Sequence, residues 1–425
     1  MNTEELYKLY KQHPSVNTDT RQIKKGDIFF ALKGPNFNGN EWAIKALEAG
    51  AAYSIVDEDL GLNDNRIIKV NNSLTALQHL AKLHREHFNI PFISITGSNG
   101  KTTTKELIHA VLSTVHKTYT TTGNLNNHIG IPLTLLKIKN DAAMAVVEMG
   151  ANHIGEIASY CEYAKPTHAL ITNIGKAHLE GFGSLLGVKK GKGELFDYVK
   201  NNDGFTFVNM DDEAVADLGK WIKNKSTYGT KNADITGTII KSDPFLSVSV
   251  RYGSENYIID TKLVGSYNLH NILAAVALGK SFGVSPALIK KAIEHYEPSN
   301  SRSQLIVKDS NKIILDAYNA NPSSMKAAIE NFAAMEGNNK VLVLGAMAEM
   351  GKESVKEHEG IIKLIDKYKW KHVLLVGNNF NTVSHSYTSL SNAEEAKAWL
   401  ADKKLTNSLM LIKGSRSMKM EKVLE

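Results

Sequence analysis

Several things are scarce in this chain of 425 residues, and each scarcity excludes something. There is one cysteine, Cys161, so no internal disulfide framework exists and a reducing compartment is the simpler expectation. With 9 prolines, 22% charged and 42% hydrophobic residues, the chain is an ordinary globular one and global disorder is excluded. No segment approaches the roughly eighteen uninterrupted apolar residues of a membrane span. The start, Met1-Asn2-Thr3-Glu4-Glu5-Leu6, is not a basic stretch followed by an apolar run. A cytoplasmic location without membrane insertion is expected. Lys+Arg at 50 against Asp+Glu at 44 leave +6, spread along the chain rather than gathered in a stripe, which argues against nucleic acid as a partner. Arginine is the rarest charged residue, at positions 21, 66, 85, 251, 302 and 416, with none between Glu86 and Val250. Phosphate chemistry in that stretch must rest on lysine, backbone amides and metal ions.

The length suggests two to four domains, with three the natural number. Residues 1–88 alternate strand-like Asp27–Leu32 and Tyr53–Val56 with a helical pattern over Glu41–Ala51, and end in a helix-period segment from Leu74 to His87. Pro91 marks a boundary. Residues 89–299 begin strand, glycine turn, helix, with further buried-type strands at Met144–Met149 and Ala169–Ile174. This predicts a parallel sheet with covered faces. Short alternating strands between Asp234 and Val264 predict a β-rich flank, and helices follow over 268–282 and 286–296. Residues 300–425 form a third α/β run with strands near 312–315, 341–344, 372–376 and 408–412. Its Leu344-Gly345-Ala346-Met347 is not a dinucleotide phosphate turn, so the pattern brings no such cofactor.

Gly97, Ser98, Asn99, Gly100, Lys101, Thr102 and Thr103 lie between a buried-type strand and a helix, the context of a nucleotide phosphate loop. Glycines let successive amides turn toward one anion, the helix start adds positive potential, Lys101 reaches the outer phosphates and Thr102 offers a hydroxyl to Mg²⁺. The usual first glycine is replaced by Ile95. Ligands collect at the carboxyl ends of parallel strands, where Glu148 can complete a Mg²⁺ shell. His178 is open between metal ligand and structural histidine, and Lys192 reads as one more lysine beside Lys189 and Lys190.

These segments resemble the ATP-dependent Mur ligases of bacterial cell-wall synthesis. The marks are Thr96–Glu106, the run Gly123-Asn124-Leu125-Asn126-Asn127-His128 through Thr134, Glu148–Ala151, Ala177–Ser184, Lys192-Gly193-Glu194, Tyr318–Met325 and Lys413-Gly414-Ser415-Arg416. The likeness spans the chain, and the two asparagine-rich motifs point to the branch that joins D-alanyl-D-alanine to UDP-N-acetylmuramoyl-tripeptide through an acyl phosphate. It implies an α/β fold of three domains: an N-terminal UDP-substrate domain (1–88), a central P-loop ATPase domain with a parallel sheet (89–299) and a C-terminal Rossmann-like domain (300–425). It implies ATP and Mg²⁺ at two sites, with Lys192 carbamylated and holding the second ion together with His178. Lys101, His178 and Lys192 become the catalytic set, and Thr102, Glu148, His178 and Lys192 the metal set. Asn268 and Asn271 match a motif near the nucleotide base, and Arg302, Asp316, Tyr318 and Asn319 match positions that close over ATP. Thr20 and Arg21, with Asn124, Asn126 and Asn127, are implied on the UDP substrate. A monomer is expected.

The chain departs from the family pattern at Asn38-Gly39-Asn40 (usually Asp-Gly-His), Ala346 (usually Asp), Tyr267 (usually His) and Ser301 (usually Gly). Two other readings remain. Another amide ligase of the same class would add a single amino acid to a UDP-muramyl peptide, or glutamate to folate. A non-enzymatic ATP switch would bind nucleotide without turnover.

Overall fold

The computed structural model describes residues 1–299, 301–337 and 339–425, in three sheets flanked by helices plus a small hairpin, Lys33–Gly34 with Phe37–Asn38. Asn300, where the third domain is expected to start, lies outside the described residues. The first sheet has four parallel strands in the order Val16–Asn17, Ile28–Phe30, Tyr53–Val56, Ile67–Lys69. The helix expected over Glu41–Ala51 is shorter, Ala43–Glu48, because a 3₁₀ turn, Gly39–Trp42, capped by the Asn38 side chain, comes before it.

Helix Ser73–Glu86 joins the first sheet to the second. Its apolar positions repeat at helical spacing, and Asn72 caps its start by accepting from the Thr75 amide. Leu77, Leu80 and Ala81 are fully buried in one core with Leu6 and Phe30 on one side and Ile131, Leu135 and Ile157 on the other. Arg85 donates to the carbonyls of Ala164 (3.0 Å), Lys165 (2.8 Å) and Phe88 (2.9 Å), with its guanidinium 3.5 Å from the centre of the Phe92 ring. The apolar core therefore runs through the junction near residue 88 without a break.

The second sheet has nine described strands. Seven are parallel, in the order Thr118–Thr120, Met144–Glu148, Phe92–Thr96, His168–Ile171, Phe205–Asn209, Lys225–Gly229, Ile235–Lys241. Ser247–Tyr252 and Glu255–Asp260 extend it antiparallel, so the expected β-rich flank is the same sheet continued. Every residue of Phe92–Thr96 and Met144–Glu148 is buried, as continuous apolar strands covered by helices on both faces require.

In the third sheet the order is Gln304–Lys308, Asn311–Asp316, Leu409–Lys413, Lys340–Gly345, His372–Val376, Thr388–Leu390, parallel except for the first pair. The strands Gln304–Lys308 and Thr388–Leu390 were not expected. Both lie at sheet edges and are partly exposed, so neither carries the apolar run that marks a central strand. No helix among the described residues is long and apolar enough to cross a membrane.

Candidate active site

A cavity of about 790 Å³ opens where the carboxyl ends of Phe92–Thr96, Met144–Glu148, His168–Ile171 and Phe205–Asn209 face the third sheet. That volume is ample for a nucleotide and part of a second ligand. Its floor is the glycine loop. Gly97 (φ +143°) and Gly100 (φ +78°) take backbone conformations other residues resist, and the space beside them is filled. A Cβ on Gly97 would lie 1.9 Å from Thr172 Oγ1, and one on Gly100 would lie 2.6 Å from Asn271 Oδ1. The neighbouring strand end pins the loop: Ser98 N–H donates to the Asn173 carbonyl (3.0 Å), Asn99 N–H to Asn173 Oδ1 (3.0 Å), and Thr172 Oγ1 to the Asn99 carbonyl (2.7 Å). Helix Lys101–Leu112 starts at Gly100 with no side-chain cap, so its first amides are left for an anion. Lys101 Nζ donates to the Gly97 carbonyl at 2.7 Å. Burial pushes its amine below the usual lysine value, an effect Glu148 opposes and Arg302 reinforces.

Glu148 ends its strand almost fully buried. Its Oε2 accepts from Thr102 Oγ1 at 2.9 Å and its Oε1 from Asn126 Nδ2 at 2.8 Å. This buried carboxylate is bonded only to neutral donors, and with the Thr102 hydroxyl it offers the hard oxygen pair Mg²⁺ takes. Among the described residues no three His, Cys, Asp or Glu side chains form a metal cluster, so an ion held by this pair would need ligand and water oxygens for the rest of its shell. His178 lines the same cavity in a left-handed conformation (φ +51°), heading the short helix Leu179–Phe182. Its Nδ1 lies 2.6 Å from Glu349 Oε2.

Lys192 does not line the cavity. It sits one layer behind, 0% exposed, and its Nζ donates to the carbonyl of Ala151, a wall residue, at 3.0 Å. Burial pushes its amine well below the usual lysine value, and the charge of Lys101 pushes the same way. Among the described residues it has no salt-bridge partner, unlike its neighbour Lys189, which pairs with Asp217 at 2.5 Å.

The third sheet supplies the opposite wall. Arg302 stacks its guanidinium 3.5 Å from the centre of the Tyr318 ring, and its buried Nε has no hydrogen-bond partner among the described residues. Asp316 accepts from Ser303 N–H (3.1 Å) and from Lys413 Nζ (2.6 Å), and Lys413 also reaches the Asn319 carbonyl (3.2 Å). Ser301, in place of the usual glycine, still takes a left-handed φ of +55°. Asn321 Nδ2 donates to Asn99 Oδ1 at 2.8 Å, so the third sheet's side is docked directly on the glycine loop.

Of the residues singled out from sequence, Ser98 through Thr103, Asn126, Asn127, Glu148, His178, Asn268, Asn271, Arg302, Asp316, Tyr318 and Asn319 line this cavity. Gly97 lies beneath it. Asn124, Thr20 and Arg21 are not brought to it. Arg21 stands in solvent paired with Asp19 at 2.8 Å, and that pairing holds the Asp19 carboxyl down at about 2. Asn38 and Asn40 bond to Glu58 and Asp57 in the first segment. Sequence reading missed Asn209, Asp211 and His270, where His270 Nε2 lies 2.8 Å from Asp211 Oδ2 on the cavity rim. The signal was present: Asn209-Met210-Asp211-Asp212 follows a strand of the same parallel sheet at its carboxyl end.

Comparison with known proteins agrees with this geometry. Residues 95–279 match the Mur ligase middle domain, and residues 301–416 match the Mur ligase, glutamate ligase domain. The UDP-N-acetylmuramoyl-tripeptide--D-alanyl-D-alanine ligase of Bacillus subtilis is 35% identical over 96% of this chain and 92% of its own length. A crystal structure of MurF from Acinetobacter baumannii superposes with a TM-score of 0.87 at 30% identity, covering 96% of this chain and 92% of that one. The MurF ligase from Thermotoga maritima in complex with ADP gives 0.86 at 26% identity, covering 96% of both. These matches, together with the phosphate loop, the buried Glu148 and the facing third sheet, show that the chain belongs to the Mur ligase family.

Proposed function

We propose that this chain is the ATP-dependent ligase that joins D-alanyl-D-alanine to UDP-N-acetylmuramoyl-tripeptide, giving the pentapeptide, ADP and phosphate in peptidoglycan precursor synthesis. The observation that carries the reading is that Lys101, Glu148 and His178 share one cavity, with the Lys192 amine one carbonyl behind its wall. A free carboxylate is a poor electrophile, so activation must come first. The tripeptide carboxylate oxygen bonds to the γ-phosphorus of ATP, the bond from that phosphorus to the bridging oxygen breaks, and ADP leaves. The amine of D-alanyl-D-alanine then attacks the acyl carbon, phosphate leaves and the amine gives up a proton.

The first step brings two anions together, so it is won by positioned positive charge. The loop amides and Lys101 face the phosphates, and Arg302, with its unpaired Nε, approaches from the third sheet. Asn268 and Asn271, bonded to each other at 2.8 Å, border the base end. Thr102 and Glu148 would hold one Mg²⁺, and His178 with Lys192 a second. When bound, these ions neutralise the charge that an arginine-free segment cannot. Burial lowers the proton affinity of the Lys192 amine and so favours the neutral form, which adds to CO₂ with loss of a proton to give a carbamate, an anionic oxygen donor. Thr20, Arg21 and Asn124 are assigned to the UDP-bearing part of the substrate, away from the reacting carboxylate. The second step needs water kept from the acyl phosphate, and the docked third sheet supports that. The lone cysteine and ATP as substrate support a place in the cytoplasm, and the chain is proposed to work as a monomer.

The deciding experiment incubates the chain with UDP-muramyl-tripeptide, D-alanyl-D-alanine, ATP and Mg²⁺ and weighs the product. Pentapeptide with stoichiometric ADP is expected. Product with single amino acids or glutamate but not with the dipeptide would assign a different ligase, and tight ATP binding without turnover would favour a switch.

A further inference from the structure

Among the contacts between the central sheet's loops and the third sheet's side, one joins two strained residues. His178 (φ +51°) and Glu349 (φ +61°) both hold left-handed backbone conformations that non-glycine residues avoid. Each belongs to a different sheet's loop, and they meet: Glu349 Oε2 lies 2.6 Å from His178 Nδ1, and the Glu349 carbonyl accepts from Glu180 N–H at 3.1 Å. Gly351 (φ +50°) lets the loop approach so closely that a Cβ there would lie 3.3 Å from the Glu180 Cα. Strain at one contact from both sides persists only where the surroundings enforce it, and such spots cluster at functional sites. At 2.6 Å the carboxylate oxygen is within hydrogen-bond distance of Nδ1, although the angle at the ring nitrogen is poor.

The chemistry of imidazole gives this contact a direction. A carboxylate beside Nδ1 keeps the proton on that nitrogen and leaves the lone pair on Nε2. His178 lines the reaction cavity, so Nε2 is the nitrogen available to it. Glu349 does not line the cavity, and its charge reaches Lys101 only at longer range. Glu349 also arrives with the third sheet's side, along with Lys176 Nζ to Glu357 (2.6 Å) and Lys176 N–H to Ser323 Oγ (2.9 Å).

Resting on the proposed function, we infer that Glu349 is a positioning residue which sets the tautomer and orientation of His178 only when the third domain is docked, so that carboxylate activation is coupled to closure. A chain that activates its substrate only when closed does not lose acyl phosphate to water.

The test compares Glu349→Ala, Glu349→Gln and His178→Ala, singly and with Glu349→Ala and His178→Ala combined. Glu349 is exposed, so its variants are expected to melt like wild type. Glu349→Ala should lower kcat about 10- to 100-fold, the usual effect of removing the group that orients a functional histidine. Its KM for ATP should stay within about twofold, because uniform binding is untouched. Glu349→Gln should recover part of kcat, since the amide oxygen can take the carboxylate's place beside Nδ1 and accept its proton. In the double variant the Glu349 change should add nothing to the loss from His178→Ala. Hydrogen exchange at residues 176–182, with a non-hydrolysable ATP analogue, should show the same protection in Glu349→Ala as in wild type. Full kcat in Glu349→Ala, additive losses, or loss of that protection would each overturn the inference. Wild-type turnover is the control: if wild type makes no pentapeptide the proposed function falls, whereas wild-type turnover with an unaffected Glu349→Ala removes only the coupling.

Discussion

Two seams hold this chain together, and they are made of opposite materials. Between the first and second sheets, Leu77, Leu80 and Ala81 sit in a core shared by both sides, and Arg85 is anchored on three carbonyls. Between the second and third sheets Val264 enters the third sheet's core, and polar pairs cross the seam: Asn321 with Asn99 (2.8 Å), Lys176 with Glu357 (2.6 Å), His178 with Glu349 (2.6 Å) and Ser266 N–H with Asn331 Oδ1 (3.0 Å). Separating an apolar seam exposes hydrocarbon that water does not satisfy, whereas polar contacts trade for water at a net cost of about 1 kcal/mol each. On that argument the first seam is the costlier of the two to separate. The cavity lies on the second, where substrates must enter and the intermediate must be shielded.

The largest effect that would sharpen this contrast is at the polar seam's cavity. Lys192→Ala should cut ligation by about 10³-fold, the scale of losing one electrostatic contact to a transition state. Its melting temperature should not fall, and acetate or formate should restore part of the activity by occupying the vacated ligand position. Phosphate release checks this, and full activity in the variant removes the carbamate. Leu80→Ala at the apolar seam should do the converse. It should lower stability by about 3 kcal/mol in urea titration while the KM for ATP holds. A changed KM with unchanged stability would erase the distinction between the seams.

Lys176→Ala should cost about 1 kcal/mol of stability, since it leaves the buried Glu357 carboxylate without its partner. It should lower kcat/KM by about fivefold, the kinetic equivalent of that energy, by weakening closure. The smallest effect concerns acid. His84 lies between the Tyr7 hydroxyl (3.2 Å) and the Ile138 carbonyl (2.9 Å), and burial, with His87 nearby, lowers its pKa. In the unfolded chain it takes up a proton near pH 6.5, while the folded chain resists until lower pH. Its contribution to the apolar seam is therefore complete above about pH 6.5 and is lost as pH falls below that. Urea midpoints at neutral and mildly acid pH should fall less in His84→Gln than in wild type. An equal fall in both would place the acid sensitivity elsewhere.

The two seams were not equally legible in the sequence. The floor of the cavity was readable because strand, loop and helix are consecutive in the chain, so Ser98 to Thr103 and Glu148 could be located by local pattern. Asp316, Tyr318 and Asn319 came from likeness to a family, since nothing local says that a strand end more than 200 residues from the loop will face it. Asp211, His270 and Glu349 were missed because their roles come from partners distant in the chain. Lys192 is the sharpest case. As a string it matches Lys189 and Lys190, and only burial distinguishes it.

Taken alone, the order of residues determined what is encoded within a few turns of chain: the glycine loop, the buried parallel strands, the absence of disulfides and of arginine where phosphates gather. Which lysine is buried so that its proton affinity falls, which carboxylate is bonded only to neutral donors and which histidine meets a glutamate were decided only in three dimensions. Desolvation and charge depend on what surrounds a group, and those surroundings are assembled from segments that the sequence keeps far apart.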